Sequence, residues 1–470
     1  MAEFGLALLG VAALLVATTG LPVFAVLLVA SCVGATVGVV SGAIPLALLG
    51  ALPSRMIGLL ENDLLQAVPL FVFIGALLDR LPLADLLYRG GCRLAGRSGA
   101  SPRLAAMGLS ALLAPMNGSV GASVAMLARV VAPRLRARGV DVAQTTALVS
   151  VASTLGVLVP PSIVLLLLGD AMMSAHTQAL NVSAAQNRII NTQDLLHGVL
   201  GPAAIVLLLL SLIAAWQARR APPAEPTPLG RSEAAIATLT VAVIGALLGG
   251  VAAGWFYAVE AAACGGVLLL VGGVVSGRLG FGPLNGALRD ALDITGSLCA
   301  LFVSATTFTL LLRSLGTDVL VTAAFARLPG GPAATVAAAL AVLLLCGLVL
   351  DAYELIFVVV PILMPPVLTR VDDALWVAVL SLLALQMSFL LPPLGYAVMM
   401  SGARIVPHPT LRQLVRALTP YLLGLAAVLA LVLAQPRLVH LLDAPAAAAR
   451  PLRPDEVERV MRAAPRGVEP

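Results

Sequence analysis

Residues 118–170 align on residues 350–402 without a gap, at a constant offset of 232. In that register Pro160-Pro161 falls on Pro392-Pro393, Pro133 on Pro365 and Asp141 on Asp373. Both double prolines interrupt strongly apolar runs, GVLVPPSIVLLLL and SFLLPPLGYAVMM. A proline inside a helix removes an amide donor and clashes with the preceding turn, so each pair marks a helix break. A chain that breaks apolar helices at matching places in its two halves is confined to a repeat-built architecture.

The solvent of those helices follows from composition. The 470 residues are 60% hydrophobic and 11% charged, and the mean hydropathy is +1.04. A soluble core would need far more polar surface. Apolar stretches long enough to cross a bilayer recur along the whole chain, and they do not alternate as the strands of a membrane barrel would. The fold class is therefore an all-α polytopic membrane protein. The net charge of +5 comes from arginines in short loops rather than from a patch interleaved with aromatics, so it reports topology and not nucleic-acid binding. Five cysteines lie in or beside apolar segments without C-x-x-C spacing, which argues against a disulfide frame or a zinc site. Residues 1–44 lack a basic leader and are too long for a signal peptide, so they read as retained helices.

Two helices are expected at 4–20 and 23–42, then a partly amphipathic connection at 43–65 carrying Glu61 and Asp63, and an apolar run at 66–79. A basic loop with Arg80, Arg89, Arg93, Arg97 and Arg103 follows. The apolar block at about 104–133 is interrupted by Pro115-Met116-Asn117-Gly118-Ser119 and ends on Arg134, Arg136 and Arg138. Basic loops prefer the cytoplasm, so a block flanked by two of them reads as a re-entrant hairpin. Two polar-tipped spanning helices are the alternative. A broken helix at about 142–175, a polar stretch at 176–196 and a helix at 198–216 complete a first repeat, 1–217. The Pro-rich segment 218–233 is a linker. The second repeat, 234–442, carries helices near 234–253, 256–276 and 291–313, a hairpin at about 332–368, a broken helix at about 374–400 and a last helix at 417–438. The tail 443–470 reads as disordered. Five crossings and one hairpin per repeat make the second repeat inverted relative to the first. Inverted repeats with interrupted helices are the architecture of secondary transporters, with the binding site at the breaks near the membrane midplane.

Four groups of residues are candidates for that site. Asn117, Gly118, Ser119, Gly121 and Ser123 form the first hairpin tip, where short residues let the backbone turn and expose carbonyls for Na⁺ or amides for a carboxylate. The same residues also serve close helix packing. Ser153, Thr154, Gly156, Pro160, Pro161 and Ser162 surround the first break, whose freed carbonyls require water, a side chain or an ion; a plain kink satisfied by Ser153 or Thr154 is the alternative. Asp351 and Glu354 lie deep in an apolar block, where ionisable groups are costly. They are candidates for cation binding, proton carriage or a structural cap. Gln386, Ser388, Pro392 and Pro393 mirror the second group, with Gln386 on Thr154 and Ser388 on Gly156. Asp170 and Glu260 are expected at helix ends as interfacial or capping residues, and the four histidines in loops or at helix ends.

With these residues the chain resembles the large membrane subunit of tripartite ATP-independent periplasmic (TRAP) transporters over roughly residues 5–438. The most specific stretches are NGSVGASV (117–124), ASTLGVLVPPSIVLLLLGD (152–170), LDAYELIFVVVPIL (350–363) and LQMSFLLPPLGYA (385–397). The paired breaks and the acidic hairpin are similar to the branch labelled mannitol/chloroaromatic. The resemblance implies an elevator mechanism in the bacterial inner membrane, in which two hairpins and two broken helices slide against a scaffold. It implies Na⁺ as the coupling ion and no other cofactor, held by backbone carbonyls near Gly118, Ser119, Gly156, Gly347 and Ser388. Asn117, Ser153, Thr154, Asp351, Pro392 and Pro393 also match the family's site. The implied cargo is a small organic anion, such as a 2-oxo acid or a lactate-like carboxylate. The implied partners are a periplasmic substrate-binding protein and a small four-helix membrane subunit, expected as a separate chain. Two departures are Asn117-Gly118-Ser119 at the first tip and LLPP where many members place a threonine before the prolines, which puts one Na⁺ site in doubt.

Three alternatives stand beside this reading, the first a structural scaffold with no transport role, which would not need two matched helix breaks. A stand-alone ion-coupled anion transporter would need no binding protein. An intramembrane aspartyl protease would use Asp170 and Asp351, but residues 167–170 read LLGD rather than the expected G-x-G-D, and a transporter that is not an enzyme is the stronger expectation.

Overall fold

The computed structural model describes residues 1–45, 50, 53–54, 57–58, 63–117, 119–183, 189–223 and 228–442. Gly118, Glu61, the Asp63 side chain, most of the 43–65 connection, linker residues 224–227 and the tail 443–470 lie outside the described residues. The described residues fold into helices, and eight of these are long and apolar enough to cross a membrane.

The chain opens with α1 (Ala2–Thr19) and α2 (Val23–Val40), separated by Gly20 at φ 65, a left-handed turn that glycine adopts without penalty. α3 (Asp63–Arg80) bends by 73° into α4 (Leu83–Leu94). The first hairpin follows: α5 (Ser101–Leu113), a 3-10 turn at Ala114–Met116, α6 (Val120–Val130) and the short α7 (Ala132–Ala137). At 1.5 Å per residue α5 and α6 extend only about 20 and 16 Å, short of the ~30 Å hydrocarbon thickness. α8 (Val142–Leu158) and α9 (Ile163–Ser183) flank the first double proline, and α10 (Thr192–Gln217) leads to the linker. Beyond it come α11 (Arg231–Ala252), α12 (Ala258–Val275), α13 (Phe281–Ser314) and α14 (Thr317–Ala326). The second hairpin is α15 (Gly331–Cys346), a turn, α16 (Ala352–Glu354), a π-turn at Leu355–Val359 and α17 (Val360–Leu368). α18 (Ala374–Ser388) and α19 (Tyr396–Arg404) flank the second double proline, and α20 (Leu411–Ala434) closes the described chain.

Local chemistry sets the helix starts. Asp141 accepts the Ala143 amide at 3.0 Å to cap α8, and Asp373, its partner in the internal alignment, accepts the Trp376 amide at 2.9 Å to cap α18. Asn191 and Asp194 form a reciprocal capping box on α10, as Thr410 and Gln413 do on α20. Packing then separates an inner from an outer layer. Nearly every residue of α8 and α18 is buried, whereas α1 exposes Leu6, Val11, Leu14 and Leu15 and α12 exposes Val267, Leu268, Val271 and Val274. Apolar faces of that extent belong against lipid. Some arginines are paired across elements: Arg129 with Asp79, Arg134 with Asp85, and Arg89 with Glu233 at 2.7 Å.

Four expectations are corrected. The basic loop after residue 80 contains α4, whose Leu86, Leu87, Tyr88 and Cys92 are buried while Arg89 pairs with Asp85 and Glu233. The helix expected at 291–313 starts ten residues earlier, with Pro283 in the first turn where a missing amide costs nothing. The short α14 was not expected. α9 runs on through a polar stretch to Ser183, so Asp170 and the buried His176 lie inside it rather than at a helix end. Glu260 does cap, accepting the Tyr257 amide at 2.9 Å.

Candidate ion and substrate site

The first hairpin tip is a chain of short polar groups. Ser119 is extended and its Oγ accepts the Ala122 amide at 3.1 Å, starting α6. Ser123 donates to the Ser119 carbonyl at 3.2 Å and accepts from Asn117 Nδ2 at 3.2 Å. Asn117 and Ser123 are buried. The second tip begins at the residue aligned with Ser119. Asp351 Oδ1 accepts the amides of Tyr353 and Glu354 at 2.9 and 3.0 Å, and Glu354 Oε2 accepts the Asp351 amide at 3.0 Å. The structural cap weighed for Asp351 is thus present, and it engages the carboxylate that a protease would need.

Each tip meets a broken helix through a contact that tolerates no side chain on one partner. A Cβ on Gly156 would lie 2.7 Å from the Ala114 carbonyl oxygen. In the second half the bare residue is on the hairpin: a Cβ on Gly347 would lie 2.3 Å from Ser388 Oγ. The two halves are also tied together. Tyr396, at the start of α19, packs on Gly121 so closely that a Cβ there would lie 2.9 Å from the phenol oxygen, and Ser150 of α8 donates to the Ala397 carbonyl at 3.4 Å.

The breaks handle their carbonyls differently. Both Pro160-Pro161 and Pro392-Pro393 are cis. Pro160 has no amide for the Gly156 carbonyl, and no backbone donor among the described residues replaces it. The Val157 carbonyl receives only the distant Ser162 hydroxyl, at 3.5 Å. Ser153 and Thr154 donate to the carbonyls of Ser150 and Val151, so neither serves the break itself. At the second break, the Ser388 carbonyl accepts the Leu391 amide at 3.2 Å and the Phe389 carbonyl accepts the Ala397 amide at 3.1 Å. Ser388 Oγ donates to the Leu385 carbonyl at 2.7 Å. Gln386 is the exception: it is fully buried, and neither its amide oxygen nor its nitrogen has a hydrogen-bond partner among the described residues. Such a group ordinarily costs about 1–3 kcal/mol and asks for a ligand, ion or water.

The structure therefore brings Gly156 to the first tip and Ser388 to Gly347 at the second. Arg313, which sequence reading did not single out, lies in the wall of a separate polar cavity that also takes in Asp170. Its signal was weak, a lone arginine at the end of an apolar run.

Hairpins docked on interrupted helices inside a lipid-facing layer define a class of polytopic membrane transporter folds. The chain is similar to the YdaH transporter of Alcanivorax borkumensis, with a TM-score of 0.59 and 16% identity over 82% of this chain and 87% of that one. It is also similar to MtrF of Neisseria gonorrhoeae, described as one of a class of antimetabolite efflux pumps, with a TM-score of 0.51 and 13% identity over 82% and 83%. At these identities the likeness is one of fold.

The model of the tripartite ATP-independent periplasmic transporter DctM component matches residues 9–438, and the chain belongs to that family of large permease subunits of the inner membrane. Among its relatives, the sialic acid TRAP transporter large permease protein SiaM of Vibrio cholerae is 25% identical over 83% of this chain and 88% of its own length. The 2,3-diketo-L-gulonate TRAP transporter large permease protein YiaN of Escherichia coli is 23% identical over 80% and 86%. The sialic acid TRAP transporter permease protein SiaT of Haemophilus influenzae is 23% identical over 83% of this chain, which spans 61% of that longer protein.

Proposed function

We propose that this permease imports a small organic anion coupled to Na⁺, with the anion delivered by a periplasmic binding protein and the scaffold braced by a separate small four-helix subunit. The relatives named above carry sialic acid and 2,3-diketo-L-gulonate, and another, DctMQ of Oleidesulfovibrio alaskensis, is named for isethionate; all three are organic anions. A 2-oxo acid or a lactate-like carboxylate is the cargo we favour. The observation that carries Na⁺ coupling is that Gly156, whose Cα packs against the first hairpin tip, has a carbonyl stripped of its helical donor by Pro160. A carbonyl freed of its donor at a helix break is a natural ligand for a hard monovalent cation.

In this reading residues 1–217 and 234–442 are inverted repeats, and α5–α9 move with α15–α19 as one transport body. Na⁺ binds near Gly118, Ser119 and Gly156, with a related site near Gly347 and Ser388. Asn117, Ser123, Asp351, Glu354 and the unpartnered Gln386 amide position the anion or the ion beside it. Ser153, Thr154, Pro160, Pro161, Pro392 and Pro393 shape the breaks. The test is uptake into proteoliposomes under an inward Na⁺ gradient, with sialic acid, isethionate, lactate and pyruvate as probes and periplasmic extract present or absent. Ser119→Ala and Asp351→Ala should abolish uptake while the variants remain monodisperse. Full Na⁺-driven uptake in both overturns the site, and uptake that ignores the extract points to a stand-alone transporter.

A further inference from the structure

A groove of about 440 Å³ runs between α11 and α12 and is floored by Leu78, Leu81 and Leu83 at the bend from α3 into α4. One face of each helix makes a wall: Ile236, Leu239, Val243 and Leu247 on α11, and Gly265, Leu268, Gly272 and Ser276 on α12 and its cap, spaced three, four and four residues apart in both. The wall hydroxyls are already engaged. Thr240 donates to the Ile236 carbonyl at 2.8 Å and Ser276 to the Gly273 carbonyl at 3.1 Å. Glycine opens the groove, and a Cβ on Gly272 would meet nothing within 4 Å.

The two ends differ. At the inner end a Cβ on Gly265 would lie 3.3 Å from Leu247 Cδ1 and 3.8 Å from Met116 Cε, and Met116 belongs to the first hairpin tip. At the outer end stands Arg278, just beyond α12 and exposed, whose guanidinium makes no hydrogen bond or ion pair among the described residues. The carboxylate near it, Glu233, is bonded to both terminal nitrogens of Arg89, at 2.7 and 3.2 Å. Arg89 lies in the basic segment 80–103, and basic segments prefer the cytoplasm. The mouth of the groove therefore opens on the cytoplasmic leaflet.

We propose that this groove holds one acyl chain of an anionic glycerophospholipid, with the phosphate at Arg278 and the end of the chain at Met116. Each wall is eleven residues long, about 16 Å at 1.5 Å per residue, or one leaflet of a ~30 Å hydrocarbon layer. Spread over that length, 440 Å³ leaves a cross-section of about 27 Å², whereas a helix 10–12 Å across needs about 80 Å² or more. The groove thus takes a single chain and not a helix of a partner subunit. Its apolar walls hold the chain, and the guanidinium fork of Arg278 suits the phosphate. Basic pockets between helices on the cytoplasmic side are where anionic headgroups bind. A chain seated here touches the first hairpin tip as well as α11 and α12, so bound lipid and the position of the tip bias one another. Lipid binding itself depends neither on Na⁺ nor on the cargo.

The test is native mass spectrometry of the full-length permease with the subunits that copurify, stripped of lipid and titrated with palmitoyl-oleoyl phosphatidylglycerol or phosphatidylcholine. One phosphatidylglycerol should bind about fivefold more tightly than phosphatidylcholine, the contribution of one arginine near a membrane surface. Arg278→Gln should remove that preference and leave phosphatidylcholine binding as it was. Gly272→Leu sends a side chain into open groove and should weaken both lipids about tenfold, the burial of roughly two methylenes. If Gly272→Leu does not fold, Leu239→Trp, at a wall side chain that is 66% exposed, blocks the same groove. Equal affinity for the two lipids, a preference unchanged by Arg278→Gln, or binding unchanged by the blocking variants would each overturn the site and leave only annular lipid. A photocrosslinker at position 239 that captures a protein instead of lipid would assign the groove to a subunit and overturn it as well. Lipid selectivity without Na⁺-driven uptake overturns only the proposed function, and uptake without lipid selectivity overturns this inference alone.

Discussion

The two tip-to-break contacts use aligned positions on the broken helices, Gly156 and Ser388, and differ in which partner gives up its side chain. In the first half the bare residue is Gly156 on the broken helix, against the Ala114 backbone; in the second it is Gly347 on the hairpin, against the Ser388 side chain. The polar inventory diverges in the same way. The first tip is capped by the neutral Ser119 and its break leaves the Gly156 carbonyl without an amide donor among the described residues. The second is capped by the acidic pair Asp351 and Glu354, its break carbonyls are satisfied, and the Gln386 carboxamide has no partner among the described residues. A repeated frame thus carries unequal chemistry. One break is suited to a cation through backbone oxygen, the other to a ligand that both donates and accepts.

The largest expected effect comes from filling the first contact. Gly156→Ala sets its Cβ against backbone atoms, which have no rotamer to yield, so α8 and the hairpin must part. Overpacking of this kind costs about 1–3 kcal/mol, and uptake should fall to background with a lowered thermal midpoint in detergent. Gly347→Ala meets a side chain instead, so Ser388→Gly should relieve it. A double variant Gly347→Ala/Ser388→Gly as unstable as Gly347→Ala alone would show that the second contact is not what the distances say.

Gln386→Leu should act with the opposite sign on stability. Removing a buried amide that has no partner relieves about 1–3 kcal/mol, so the thermal midpoint should rise while Na⁺-driven uptake is lost. A fall in both would mean that the carboxamide is held by protein after all, and a rise with full uptake would remove Gln386 from the site.

Most of this frame was legible in the sequence because its signals are backbone signals. Proline pairs, the aligned aspartates 141 and 373, and glycine beside a break report local geometry whatever surrounds them. What was missed depends on tertiary partners. α4 was hidden because Arg89 and Arg93 made it look like loop, and one of the two carboxylates that pair with Arg89, Glu233, lies far along the chain. The first turns of α13 were hidden because Arg289, Asp290 and Asp293 interrupt the hydropathy, and Asp290 pairs with Arg80 at 2.7 Å. Asp170 was placed at a helix end because the apolar run stops before α9 does. The empty hydrogen-bonding capacity of Gln386 and the satisfied carbonyls of the second break are properties of packing, and no spacing announces them.

The caps separate structure from ligand binding by a smaller margin. Ser119→Ala and Asp351→Ala should each lose about 0.5–2 kcal/mol from the cap alone. Asp351→Ser keeps a capping oxygen and removes the charge. If Asp351 only starts α16, Asp351→Ser transports as the parent does; if the carboxylate also serves ion or anion, uptake fails at unchanged thermal midpoint.

The smallest effect is expected at the rim, and it calibrates the rest. Arg129 and Asp79 pair at 2.5 Å, with side chains 52% and 41% exposed. An exposed pair of this kind contributes about 0–1 kcal/mol and is screened by salt. Arg129→Gln should leave the thermal midpoint nearly unchanged, and uptake should change by less than in any variant above. The pair joins α6 to α3, so it crosses from the proposed moving body to an element outside it. If those bodies slide, the bridge must open in each cycle, and Arg129→Gln should then speed the conformational step rather than slow it. Turnover measured at low salt, where the bridge is strongest, reads this directly. A rate that falls with Arg129→Gln at every salt concentration would place α3 and α6 in the same rigid body and redraw the boundary between scaffold and transport domain.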